Sequence, residues 1–378
     1  MGPMESPTVP DDVADHARET GPLESPWIWI TCLALAVLAL VLVIRYRRRT
    51  GIVAVVVLLL LAGITGLNSY VGYVRTQHDF AMLLQRAGWP FRDLGRSIDS
   101  GSSDASRAAF DPRSTGPNAP TVDKIDIPDP ANSVPSGRTY VLLPPGYADP
   151  ANENRRYPVV YLVHGYPYGG PEDWLAAGDA PGTLRLLYEH RTISPTIIVS
   201  VDLTAGDASK SWDGLDVPGG PRLETYLSRT VVSAVDQRYR TLSNRGHRSL
   251  GGMSGGAFAA LNIGLHHLDT FGSLLITLPY DTLDGNEPLL GGDRKLVAAN
   301  TPRDYIPTMP FPHTVSVILT AGSGAPTDGA SANRVAAALR ARGQRVVVRT
   351  EQGFNHTWHT ARATLPYLLA FADNEFRR

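Results

Sequence analysis

The stretch Arg248-Ser249-Leu250-Gly251-Gly252-Met253-Ser254-Gly255-Gly256-Ala257-Phe258-Ala259-Ala260-Leu261 decides the fold. Gly252, Ser254 and Gly256 spell G-x-S-x-G. A short strand-like run ends in glycines before the serine, and small helix-forming residues follow it as far as Leu265. Strand, tight turn and helix form the context of a nucleophile elbow: the turn strains the serine backbone, and glycines let strand and helix approach closely. The serine oxygen then stands above a helix N-terminus, whose amides favour developing negative charge. The pattern alone is weak in a chain with 36 glycines, where a glycine-rich turn with an incidental serine competes. The rest of the chain must therefore supply a base, an acid and further hydrogen-bond donors.

Around the elbow, apolar runs alternate with helical patterns. Strands are expected over 138–144, 157–163, 196–201, 248–253, 273–278, 314–320 and 345–350, with helices over 184–190, 223–239, 257–266, 330–342 and 360–376. This alternation predicts an α/β domain with a mainly parallel central sheet over residues 121–378. In such a sheet, chemistry gathers at the carboxyl ends of the strands.

The strand ending at Val163 runs into His164-Gly165-Tyr166-Pro167. A tight turn there would aim the Tyr166 amide at the serine, to pair with the Gly255 amide as an oxyanion hole. His164 is an alternative base, but a histidine before the elbow is out of order and is taken as a turn residue. Asp328 is the one carboxylate in the loop after the strand ending at Ala321, with N-capping of the following helix as its competing role. After the last strand come His356 and His359. His356 lies on the turn after Gly353 and is read as the base, whereas His359 falls in the first helical turn and points elsewhere. The order Ser254, Asp328, His356 is the α/β-hydrolase order of nucleophile, acid, histidine. Trp212 and Asp213, in the loop over 209–221, are expected to line the substrate cleft, together with the irregular stretch over 279–312. His266 and His267 end the elbow helix, face different directions and have no carboxylate cluster beside them, so no metal is expected. The chemistry calls for no cofactor.

The chain has 378 residues, a net charge of −1 and 43% hydrophobic residues, room for one large domain plus extra segments. That balance gives no nucleic-acid surface. The single cysteine, Cys32, excludes an intrachain disulfide or a cysteine-based metal site. Residues 1–26 are acidic and proline-rich and read as a short disordered tail, the opposite of a basic signal-peptide start. Two uncharged apolar runs, about 27–44 and 52–70, are expected to cross a membrane as a helical hairpin, with Trp27 and Trp29 at an interface. Arg45, Arg47, Arg48 and Arg49 between them should stay cytoplasmic, placing the N-terminus and all that follows the second run outside. A membrane-proximal helix is expected over 76–98 and a linker over 99–121.

With these features assembled, residues 121–378 resemble the esterase family that includes esterase D, bacterial feruloyl esterases, enterochelin esterases and the antigen 85 mycolyltransferases. The resemblance is carried by Pro158-Val159-Val160-Tyr161-Leu162-Val163-His164-Gly165 and by Glu172-Asp173-Trp174. Glu224-Thr225-Tyr226-Leu227 and Val235-Asp236-Gln237-Arg238-Tyr239-Arg240-Thr241 add to it, as do the elbow and Gly353-Phe354-Asn355-His356-Thr357-Trp358. It implies an α/β-hydrolase fold with Ser254 as nucleophile, His356 as base, Asp328 as acid and the Tyr166 and Gly255 amides as oxyanion hole. The chain departs from the family in having Gly255 where methionine is usual, a longer spacing from Gly322 to Asp328, and Ala361 in place of a tryptophan. The apolar hairpin lies outside the family's core pattern and resembles membrane-tethered esterases of actinobacteria. The expected partner is a lipid or other acyl ester at the membrane, hydrolysed through an acyl-enzyme. Transfer of the acyl group to a sugar or lipid hydroxyl is the alternative, and an inactive hydrolase fold serving as a surface-binding module is a reading from another class.

Overall fold

The structure is a computed structural model and describes residues 5–47, 51–86, Leu94, Ser97 and 116–378. One sheet carries β1 (Thr121–Asp126), β2 (Arg138–Leu143), β3 (Val159–Val163), β4 (Ile197–Val201), β5 (Arg248–Met253), β6 (Ser273–Thr277), β7 (Ser316–Gly322) and β8 (Arg345–Glu351). Their order is β1-β2-β4-β3-β5-β6-β7-β8. β2 pairs antiparallel with β1 and β4, and the remaining neighbours are parallel. Because β3 lies between β4 and β5, the strand order reverses beside β3, which opens a crevice at its carboxyl end.

The helices are α1 (Asp11–Arg18), α2 (Pro26–Tyr46), α3 (Gly51–Val71), α4 (Gln77–Arg86), α5 (Ala180–Glu189), α6 (residues 223–238), α7 (Gly255–His266), α8 (Pro326–Ala341) and α9 (Trp358–Phe376), with shorter turns between. The central strands are buried on both faces, and alternate residues serve alternate layers. Val159, Tyr161 and Val163 of β3 join a core with α6, α7 and α8. Val160 and Leu162 join another with α5 and α9. β1 was not anticipated, since Asp123, Lys124 and Asp126 break its apolar pattern. An edge strand with one wet face tolerates such charges.

The N-terminal stretch corrects an expectation. Residues 5–24 are not a disordered tail: α1 packs on α9, with Val13 and Ala17 buried. Its polar side chains have partners in the domain. His16 Nε2 lies 2.9 Å from Asp179, Asp12 2.6 Å from His190 and Arg18 3.0 Å from Glu351. Glu24 meets Arg362 at 3.1 Å, with both side chains fully enclosed. Acid-rich composition signals disorder only when the acids find no cations, and here they do.

α2 and α3 pack together as a hairpin, each long and apolar enough to cross a bilayer, with mean hydropathy 2.8 and 2.4. Their outer residues are exposed, as Trp27, Val53 and Ile64 illustrate. Arg45 and Arg47 lie at the turn, while Arg48 and Arg49 fall outside the described residues. Within the span expected to hold a membrane-proximal helix, α4 covers Gln77–Arg86, while the later part with Trp89, and the linker as far as residue 115, fall outside the described residues apart from Leu94 and Ser97.

Candidate active site

β5 delivers Ser254 at its carboxyl end, and α7 starts at the next residue. The serine has φ 57° and ψ −122°, a region that costs a non-glycine residue roughly 1–3 kcal/mol and is kept only where packing enforces it. The flanking glycines do the enforcing. A Cβ on Gly252 would overlap the Gly256 carbonyl, and one on Gly256 would overlap the His164 carbonyl. No larger residue fits either position, so the strand, the helix and the end of β3 close around the turn.

Two further strand ends converge on the serine. Asp328 sits in the first turn of α8 rather than in the loop before it, and is buried. Its carboxylate accepts a hydrogen bond from His356 Nδ1 at 2.7 Å. His356 Nε2 lies 2.8 Å from Ser254 Oγ, placed to accept the hydroxyl proton. A carboxylate in the first turn of a helix is favoured by the positive end of the helix dipole. The loop bearing His356 is stitched to the loop after β7: Gly324 donates to the Phe354 carbonyl at 2.7 Å, and Gly353 to Ser323 Oγ at 2.8 Å. Gly322 and Gly324 are needed there because a Cβ on either would strike Phe354 or Asn355.

The loop after β3 brings Tyr166 against Gly255, where a Cβ would lie 2.6 Å from the Tyr166 ring and 3.1 Å from the Tyr280 hydroxyl. The departure from methionine at 255 therefore has a cause: two tyrosines occupy that wall. Among the described residues, neither the Tyr166 nor the Gly255 amide donates to another group. His164 is buried and committed elsewhere, its Nδ1 donating to the Gly165 carbonyl at 2.8 Å and its Nε2 accepting from the Leu203 amide at 3.2 Å. His359 is in α9 and bonds the Ser69 carbonyl and Arg362.

Trp212 and Asp213 do not line the cleft around Ser254. Their loop carries Leu215 and Val217, which bury against Phe258 and Leu283 and turn it inward. Asp213 is fully buried, accepting from Asn286 at 2.7 Å and Tyr280 at 3.3 Å. Burial, outweighing these two hydrogen bonds, pushes its carboxyl up to about 7. Trp212 donates to the Thr204 carbonyl at 2.9 Å. Leu283 and Leu290 of the 279–312 stretch join the same small core. His266 and His267 both meet Glu224, at 3.2 and 3.0 Å. Burial would raise the Glu224 carboxyl, but the two imidazoles overcome it and hold it at about 2.

The cleft has a volume of about 740 Å³. Ser254, His356, Met253 and Trp358 contribute from the domain, and Leu67, Val71, Tyr73 and Leu83 from the N-terminal segment. Sequence reasoning missed this second set. The available signal was the spacing of Leu67 and Val71, one turn apart at the end of an apolar run.

The sequence profile of the Esterase family, described as "Putative esterase", matches residues 136–365. An uncharacterized protein of Corynebacterium glutamicum is 32% identical over 180 residues, covering 44% of this chain and 39% of that protein. The chain thus matches well under half the length of that relative. Among solved structures, a ferulic acid esterase has a TM-score of 0.58 at 20% identity, covering 68% of this chain and 99% of that one. An S-formylglutathione hydrolase from Agrobacterium tumefaciens has a TM-score of 0.56 at 15% identity, covering 69% and 98%. At such identities these two structures speak to the fold alone. The profile, by contrast, runs from just before β2 through the elbow, Asp328 and His356 into α9, and the chain belongs to the esterase family, the carboxylic-ester hydrolases of the α/β-hydrolase fold.

Proposed function

We propose that this protein is a membrane-anchored serine esterase, its catalytic domain outside the cytoplasm, that hydrolyses an amphiphilic ester such as a lipid or an acylated envelope component. The observation that carries the reading is the pair of hydrogen bonds linking Asp328, His356 and Ser254 at 2.7 and 2.8 Å across three strand ends. In this reading Ser254 Oγ attacks the acyl carbon while His356 Nε2 takes its proton. Negative charge builds on the carbonyl oxygen, and the Tyr166 and Gly255 amides receive it. Asp328 holds the imidazole with Nδ1 protonated and stabilises the cation. The imidazolium then gives its proton to the departing alcohol, and water, activated by the same nitrogen, releases the acid and restores the serine. The membrane placement draws support from the two apolar helices and the arginines at their turn.

The test is to assay the full chain in liposomes with a long-chain acyl ester, with and without trehalose as acceptor. Free fatty acid should form with wild type and not with Ser254→Ala. Acylated sugar exceeding free acid would replace hydrolysis by transfer. Topology is tested separately, in a Cys32→Ser background, with a membrane-impermeant thiol reagent on intact cells. Ser102→Cys should label and Thr50→Cys should not; the reverse pattern would invert the orientation.

A further inference from the structure

The end of α3 does more than lead into the domain. Leu67 and Val71, one turn apart on the same face, line the cleft that holds Ser254, and Leu83 of α4 joins them. We propose that these three side chains form the binding wall for the acyl chain of a bilayer-resident ester, so that the chain passes from the bilayer along α3 to Ser254. This rests on the esterase reading above and adds the place and source of the substrate.

The wall is fixed by specific bonds. Asn68 donates to the Leu23 and Val74 carbonyls at 3.0 and 2.8 Å and accepts from the Val74 amide at 2.8 Å. His359 Nε2 meets the Ser69 carbonyl at 3.2 Å, and Tyr73 donates to Asp173 at 2.7 Å. Gly72 turns with φ +72°, and a Cβ there would strike the His359 ring at 2.8 Å. A plain tether would need none of this; a wall that must keep register with a nucleophile does.

The approach is apolar along its length. Val53, Val57, Leu60, Ile64 and Leu67 follow a four-three spacing down α3, and each is between 47% and 68% exposed. That stripe, which α2 leaves uncovered, leads to Val71 and the cleft. Leu83 is also exposed where it lines the cleft, and Phe80, exposed too, lies one turn before it on α4. An alkyl chain lying against this stripe stays in apolar surroundings from the bilayer to the serine, whereas a soluble short ester gains nothing from it.

The experiment uses the full chain in liposomes. The ratio of kcat/KM for a dodecanoyl ester to that for a butyryl ester is measured in wild type, in Leu67→Trp, in the Leu67→Ala/Val71→Ala double variant, and in Leu38→Trp on α2 as control. The ratio should fall tenfold or more in the two wall variants and hold in the control. A second readout needs no turnover: Ser254→Ala in liposomes carrying a phospholipid with a photoreactive acyl chain should cross-link at Met253 or Trp358, and Leu67→Trp should abolish this. Butyrate hydrolysis with no change of ratio and no cleft cross-link would overturn the wall while leaving the esterase intact. Cleft cross-linking without any ester hydrolysis would uphold the wall and remove the esterase reading.

Discussion

His356 and His359 are three residues apart and do opposite things. His356 is exposed and bonds a carboxylate through Nδ1, which leaves Nε2 as the acceptor facing Ser254. His359 is half-buried and bonded the other way round: Nε2 donates to the Ser69 carbonyl, and Nδ1 accepts from Arg362 at 3.0 Å. Burial and a neighbouring guanidinium hold His359 below the usual range. The two imidazoles thus meet different partners, one a carboxylate and the serine, the other a guanidinium and a carbonyl of the N-terminal segment. The identity of a histidine says little until its second nitrogen is accounted for.

The sharpest way to break this contrast is by truncation. Ser254→Ala and His356→Ala should each lower kcat/KM for a soluble butyryl ester by about 10³ or more, because members of such a unit fail together. Asp328→Asn should follow closely, since it removes the charge that orients the imidazole. His359→Ala should retain most activity on the same ester. Inactivation by His359→Ala alone would reverse the two roles.

A smaller effect is expected on the N-terminal side. Glu24→Gln leaves Arg362, whose guanidinium burial and Arg75 already bring down to about 10, enclosed without its counter-ion. Breaking a buried pair from one side costs about 3–5 kcal/mol. Thermal unfolding in detergent should move down by several degrees, and trypsin should cut sooner after Arg18. An unchanged melting curve would mean that residues 5–24 contribute nothing to the fold.

The least effect concerns Asp213, behind the elbow and bonded to neither histidine. Its pKa is raised from 3.8 to about 7, so the folded state holds a proton that the unfolded state releases. Stability from this group is complete below pH 3.8 and is lost as pH rises through about 7. The slope should be about 1 kcal/mol per pH unit between roughly pH 4.5 and 6.5. Denaturant unfolding should show that slope in wild type and a flatter profile in Asp213→Asn. Equal slopes would place the proton elsewhere.

The elbow, the strand-end histidine and the alternation of strands and helices were legible because each is a local pattern: a turn needs its glycines nearby, and a buried strand shows its own apolar run. Asp328 was legible by position alone. What the sequence hid depends on partners far along the chain. Glu24 looks like one more acid in a polar tail until Arg362 is found beside it, 338 residues away. Trp212 and Asp213 looked like cleft residues because they follow a strand end, but Leu215 and Val217 needed burial and pulled the loop inward. Leu67 lies near the end of an apolar run and Val71 just past it; their one-turn spacing puts them on one face but does not say what that face will meet.

The enclosed charges also bear on how the hairpin is joined to the domain. Arg362 lies in α9 and Asp179 just before α5, yet Asp179 has its partners, His16 and Arg75, in the N-terminal segments. A deletion of those segments would take from Arg362 its bond to Glu24 and from Asp179 its bonds to His16 and Arg75. The hairpin is thus held to the domain from both flanks, by His16 and Glu24 before it and by Arg75 after it.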